Sequence, residues 1–137
     1  MRTELQETLD HHVLRLEQAY TLAMLAGRTD LIPRLILALY GFLLLEKDEG
    51  RLKEGRRTEI YNKIAETIDP APLADAVTRC IQDGIAKLDA GIMAGGEVCV
   101  YLDILACMRI LQEHNVPVLL DKDIITKFNA LCDKVNP

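Results

Sequence analysis

Arg109 and His114 stand five residues apart near the end of an apolar segment, and they are the pair best suited to chemistry. A guanidinium can hold a phosphate while an imidazole moves a proton, which is the division of labour an RNA-cleaving site needs. Glu7 and His11 lie one helical turn apart and could share a metal on one face. A di-metal carboxylate bundle needs a Glu-x-x-His pair on each of two helices, and no second pair is present. His11 and His12 are therefore read as surface residues. Cys80, Cys99, Cys107 and Cys132 lie far apart among apolar neighbours, with no spacing that suits zinc. Reduced, buried thiols are the expectation. The glycines at Gly84, Gly91, Gly95 and Gly96 match neither phosphate-loop pattern. No metal or cofactor is expected.

Composition narrows the field further. The chain has 137 residues, 50% hydrophobic and 27% charged, with no Trp and no Ser. The missing serine excludes every hydrolase with a serine nucleophile. A net charge of −5 and a pI near 5.2 argue against nucleic acid as the main partner. Lys47 to Arg57 is rich in cations, but Glu49, Glu54 and Glu59 nearly match them. That run reads as a solvated helix face laced with ion pairs. The polar, acidic N-terminus resembles neither a secretory signal nor a transit peptide. The most apolar run, Leu35 to Leu45, is far short of the about 20 residues a membrane span requires. A cytoplasmic protein is expected.

The elements that must position these residues are all helical. Thr3 and Gln6 form a capping box ahead of Leu5, Leu9, Val13, Leu16, Tyr20 and Ala23. Gly27 ends that helix; Asp30 is expected to cap the next, with Pro33 in its first turn. This second helix, 31–47, is apolar on every side, so it is either the centre of a bundle or half core and half partner surface. A third helix carries Ile60, Tyr61, Ile64 and Ile68, and the run from Asp69 to Pro72 breaks the chain. A fourth follows with Leu73, Val77, Ile81 and Ile85, and Gly84 on that face suggests close approach of another backbone. Gly91 to Gly96 is a second break. Val98 to His114 is again apolar and helical, Val116 to Leu120 is a connector, and Asp123 is expected to cap a last helix. Tyr20, Tyr40, Tyr61 and Tyr101 cannot be assigned to core or surface by pattern. The fold class is all-α: one domain over 1–137, a bundle of five or six mostly antiparallel helices.

Two resemblances bear on function. The Arg109/His114 spacing is similar to the signature of the HEPN ribonucleases, small all-α proteins in which the Arg and His of two subunits converge on RNA. Here apolar Ile110 follows the Arg, where that family usually has a polar residue. Separately, Ala19 and Tyr20 with the run Leu35 to Gly41 resemble the early helix pair of the flagellin export chaperones. Gly95, Gly96 and Glu97, followed by Leu102, Leu105, Met108 and Asn115, resemble the stretch before that family's last helix. Gly41 stands directly after the Leu-Tyr pair where an acidic residue is usual, and Ala106 replaces a tyrosine. The second resemblance implies a cytoplasmic antiparallel bundle that wraps the disordered C-terminal segment of flagellin. Leu35, Leu39, Tyr40 and Leu43 would then lie on or under the client groove.

The reading that follows is a non-enzymatic, protein-binding helical bundle, a chaperone or adaptor for a helical or disordered client. An RNA-cleaving homodimer using Arg109 and His114, of toxin–antitoxin type, is the alternative. A self-associating structural subunit is a third.

Overall fold

The computed structural model describes residues 3–68, 70–91, 96–117 and 120–135, with the side chains of 70–73 left aside. The fold is an all-α helical bundle: α1 (Glu4–Leu25), α2 (Ile32–Asp48), α3 (Arg56–Thr67), α4 (Pro70–Asp89), α5 (Glu97–Glu113) and α6 (Lys122–Val135). No strand occurs among the described residues. The chain, read above as one domain, divides into two compact units, Met1–Asp69 and Pro70–Pro137. The boundary falls at the Asp69–Pro72 break. Asp69 itself, Leu73's side chain, residues 92–95 of the second break and Val118 and Leu119 of the connector lie outside the described residues.

In the first unit, α1 opens on the anticipated capping box. Thr3 Oγ1 accepts from the Gln6 N–H and Gln6 Oε1 accepts from the Thr3 N–H, each at 3.2 Å. Gly27, at φ +66°, closes α1: the Arg28 N–H donates to the Ala23 carbonyl at 2.9 Å, a bond that requires the left-handed turn. Asp30 does not cap α2 as expected. Its carboxylate takes both Nε and Nη2 of Arg28, at 3.0 and 2.9 Å, and Leu31 occupies the cap position without a side-chain bond. Arg28 beside it holds the Asp30 carboxyl below its ordinary range. Pro33 does sit in the first turn of α2.

Helix α2 is central to this unit and packs on both α1 and α3. From Leu39 to Glu46 every residue is buried, alongside Leu9, Val13 and Tyr20 of α1 and Ile60, Tyr61 and Ile64 of α3. Two ring pairs mark the seams. His12 stacks on Phe42 with centroids 5.3 Å apart, and Tyr40 stacks on Tyr61 at 5.8 Å. His12 is thus no surface histidine: it is half-buried packing material, and burial pushes its imidazole pKa down, favouring the neutral ring.

The second unit is built on α4 and α5. Val77, Ile81 and Ile85 of α4 are fully buried, as are Ile104, Ile110 and Leu111 of α5. Gly84 marks a close approach, though the neighbour is a side chain, not backbone. A Cβ there would meet Ile104 Cγ1 at 3.4 Å and Val100 Cγ1 at 3.9 Å. Helix α6 is more open; only Leu131 of its apolar set is fully buried. Phe128 stacks on Tyr101 of α5 at 6.2 Å, Lys134 reaches Glu97 at 2.6 Å, and Lys127 reaches Asp89 of α4 at 2.5 Å. The helix starts two residues earlier than anticipated, so Asp121 is the cap: its Oδ1 accepts from the Ile124 N–H at 2.9 Å. Asp123 falls in the first turn and pairs with Lys127 at 3.0 Å.

Leu39 and Leu43 are both 0% exposed, so an aspartate at either site would put a charge where water does not reach. Leu39→Asp and Leu43→Asp are each expected to abolish folding of the first unit, seen as loss of far-UV helical signal. Leu43→Ala should cost about 2–5 kcal/mol in urea unfolding. Leu25→Ala, by contrast, removes a side chain 81% exposed and should change stability by no more than about 0.5 kcal/mol.

Candidate binding surface

The charged run after α2 is less a solvated helix face than a set of cross-helix ties. Residues 49–55 form the turn and loop between α2 and α3. From it Arg51 pairs with Asp10 of α1 and with Glu49, the latter at 3.4 Å. Arg57, at the start of α3, donates through Nη1 to Glu46 Oε1 of α2 at 2.8 Å and through Nε to Glu17 Oε2 of α1 at 3.4 Å. One guanidinium therefore joins all three helices. Glu46 is 1% exposed, and its second oxygen accepts no hydrogen bond from the described residues. Burial pushes the Glu46 carboxyl above its ordinary value, and Arg57 pulls it part of the way back.

Beyond this tie, the C-terminal third of α1 is left uncovered. Leu22 and Leu25 are 66% and 81% exposed, with Met24 and Leu31 also in solvent. A shallow hollow opens on each flank of this stretch. The first is floored by Ala19, Ala23 and Ala26 with Leu22, Leu31 and Leu35, and has Arg28 and Arg34 at its rim. The second runs between α1 and α3, past Tyr20, Met24, Leu25 and Ile60, with Arg56, Glu59 and Lys63 at its edge. Arg34 and Lys63 make no ion pair among the described residues, whereas Arg28 is held by Asp30 and Arg56 lies 3.8 Å from Glu17. The surface is apolar in the middle and basic at its margins. It can bury aliphatic side chains and hold carboxylates.

Of the four residues expected at a client groove, Leu39, Tyr40 and Leu43 are core. Leu35 alone is half-exposed, and it lines the first hollow. The exposed apolar side of α1 was missed because one buried stripe, Leu9 to Ala23, already satisfied the helical period. Leu14, Leu22 and Leu25 form a second side, legible only as leucines in excess of that stripe.

Elsewhere, Arg109 lies on α5 and its guanidinium is paired with Glu113 at 3.4 Å, while His114 is the C-cap residue of the same helix. Neither Glu7 nor His11 joins a metal-binding group, and no cluster of three or more His, Cys, Asp or Glu that could hold a metal occurs among the described residues. The cysteines form no disulfide in the structure and differ from expectation in burial: Cys80 is exposed and the other three are half-buried. Tyr20, Tyr40 and Tyr61 prove to be core residues, and Tyr101 is half-buried. Among the described residues no helix is long and apolar enough to cross a membrane. No protein-family model matches the chain, and no curated protein or solved structure matches it either.

The Arg57 tie is testable. Arg57→Ala strands Glu46 as a buried, unpaired carboxylate and should cost roughly 3 kcal/mol at pH 7, whereas exposed Arg56→Ala should cost less than about 1 kcal/mol. Because the folded-state value of Glu46 is raised, the native chain takes up this proton before the unfolded chain does. The stability this contributes is full below the ordinary carboxylate value and is lost as pH rises through the raised one. Urea midpoints measured across that window should show this slope in the wild type and not in Glu46→Gln. The cost of Arg57→Ala should shrink as pH falls.

Proposed function

We propose that the protein is a non-enzymatic helical adaptor or chaperone, cytoplasmic, that binds an amphipathic or disordered segment of another protein. The observation that carries the proposal is the uncovered apolar side of α1 around Leu22 and Leu25, flanked by two hollows and rimmed by Arg34 and Lys63. A soluble protein gains nothing in folding from leucines held in water, and a contiguous patch of this kind is the usual mark of an interaction site. A client side chain entering either hollow removes apolar area on both partners, worth roughly 25 cal/mol per Å² before the costs of association. The basic margins favour a client whose apolar residues are interspersed with acidic ones. The resemblance to flagellin export chaperones supplies one specific client, the C-terminal segment of flagellin. Leu35, which belongs to the resembling run, is the residue of that run that reaches the surface described here.

The ribonuclease alternative draws less support. The Arg109 guanidinium that would hold a phosphate is engaged by Glu113 on its own helix.

The experiment is an affinity capture from native lysate with co-purifying protein and RNA both quantified, run in parallel with a Leu22→Asp/Leu25→Asp variant. A single stoichiometric protein should accompany the wild type, and flagellin would establish the specific client. The variant should keep its thermal midpoint, since both side chains are in water, and bind that protein at least tenfold more weakly. Recovery of the chain alone as a dimer that the double variant dissociates would replace the proposal with self-association. RNA cleavage abolished by His114→Ala would replace it with the ribonuclease.

A further inference from the structure

All four cysteines lie in the second unit, and two of them meet. Helices α4 and α5 run antiparallel, and the contact of Gly84 with Ile104 fixes their register. Cys80 lies one turn before Gly84 on α4, and Cys107 lies three residues after Ile104 on α5. Both steps lead toward the same end of the helix pair and stay on the same side of the seam. The two thiols accordingly face each other across the seam, near enough to interact. Lys87 and Asp103 interact across the same seam at the opposite end, as this register requires. Glycine matters here because a disulfide needs Cα atoms about 4.4–6.8 Å apart, closer than helices with large residues at the crossing approach. Without a side chain at position 84, α4 can lie down on Ile104.

We propose that Cys80 and Cys107 are an oxidation site, a dithiol that closes to a reversible disulfide tying α4 to α5. The oxidant is a low-molecular-weight disulfide, and Cys80 is the entry point because it is the exposed sulfur. Its thiolate attacks one sulfur of the small disulfide, whose S–S bond breaks and releases one small thiolate, leaving a mixed disulfide on Cys80. Cys107 then loses its proton to solvent, and its sulfur attacks the Cys80 sulfur. The second small thiolate leaves, and each released thiolate takes up a proton. In balance, two protein thiols are oxidised and one small disulfide is reduced to two thiols. The neighbouring Cys80 sulfur and then burial hold the Cys107 thiol protonated, which makes the second step the slow one. Cys99, on α5, and Cys132, on α6, serve as comparison positions.

The test is incubation of the full-length, reduced chain with oxidised glutathione, followed by intact mass and by proteolytic mapping without reduction. The expected result is a loss of about 2 Da through an 80–107 linked peptide, reversed by excess reduced glutathione. A mixed disulfide on Cys80 should accumulate in Cys107→Ala. Cys80→Ala should lose the crosslink, and Cys99→Ala/Cys132→Ala should retain it in full. Because Cys80 is exposed, its substitution leaves the fold intact, which an unchanged far-UV spectrum checks. Persistence of glutathione on wild-type Cys80 without closure would overturn the proposal. So would a crosslink through Cys99 or Cys132, a disulfide between chains, or failure to oxidise at all.

Discussion

A carboxylate removed from water has to be met by a cation, and in the first unit Glu46 is met by Arg57. The apolar run that makes α2 the centre of this unit ends on that glutamate, so burial of the leucines carries the charge in with them. Arg57 stands at the first turn of α3, and its position is dictated by the need to reach Glu46 Oε1 at 2.8 Å. The same guanidinium holds Glu17, which fixes α1 against the other two helices. A hydrophobic pair in its place would pack the helices at least as firmly, because desolvation offsets much of what a buried ion pair gains. What the ionic arrangement adds is register. Leucines tolerate a shift of one turn along a neighbouring helix, but a buried carboxylate with one cation in reach does not.

Much of the fold was legible because its signals are local. The Thr3/Gln6 box needs only four consecutive residues to agree, Gly27 needs only its own freedom at positive φ, and Pro33 needs only a first turn. The cap assignments of Asp30 and Asp123 differed for a reason equally local but not written in residue type. A carboxylate two or four residues from a cation has a choice of partner. Asp30 takes Arg28, and Asp123 takes Lys127 while Asp121 takes the backbone. Composition gives both options; geometry alone selects one.

The candidate surface was harder to read, because hydrophobicity says that a residue prefers to be buried and not by what. Helix α2 is apolar on all sides and is buried from Leu39 to Glu46. Helix α1 looks amphipathic in the ordinary way, yet leaves Leu22 and Leu25 in water. Pattern alone favours α2 as the helix with surplus apolar area. Of the two readings of α2, bundle centre or half partner surface, the burial from Leu39 to Glu46 supports the first, since the middle helix of a three-helix unit is enclosed on more sides than its neighbours. Tyr40 and Leu39, the most distinctive part of the family-like run, belong to that enclosed helix. Apolar residues of this kind recur in any bundle, so their likeness to a family says more about packing than about a groove.

The two units also divide the available chemistry between them. The first holds the buried ion pair, both basic-rimmed hollows and no cysteine; the second holds every cysteine and the close helix crossing at Gly84. In the first unit the Arg57 tie to Glu46 and Glu17 fixes how α1 faces the other two helices, and so which of its leucines stay outside. A thiol pair has the opposite requirement, because closing a disulfide calls for small adjustments of two helices. The lighter burial of α6, with one fully buried residue, leaves the second unit more room for them. The tie at Arg57 in the first unit and the lighter packing of α6 in the second follow from where the large side chains are, and where they are not.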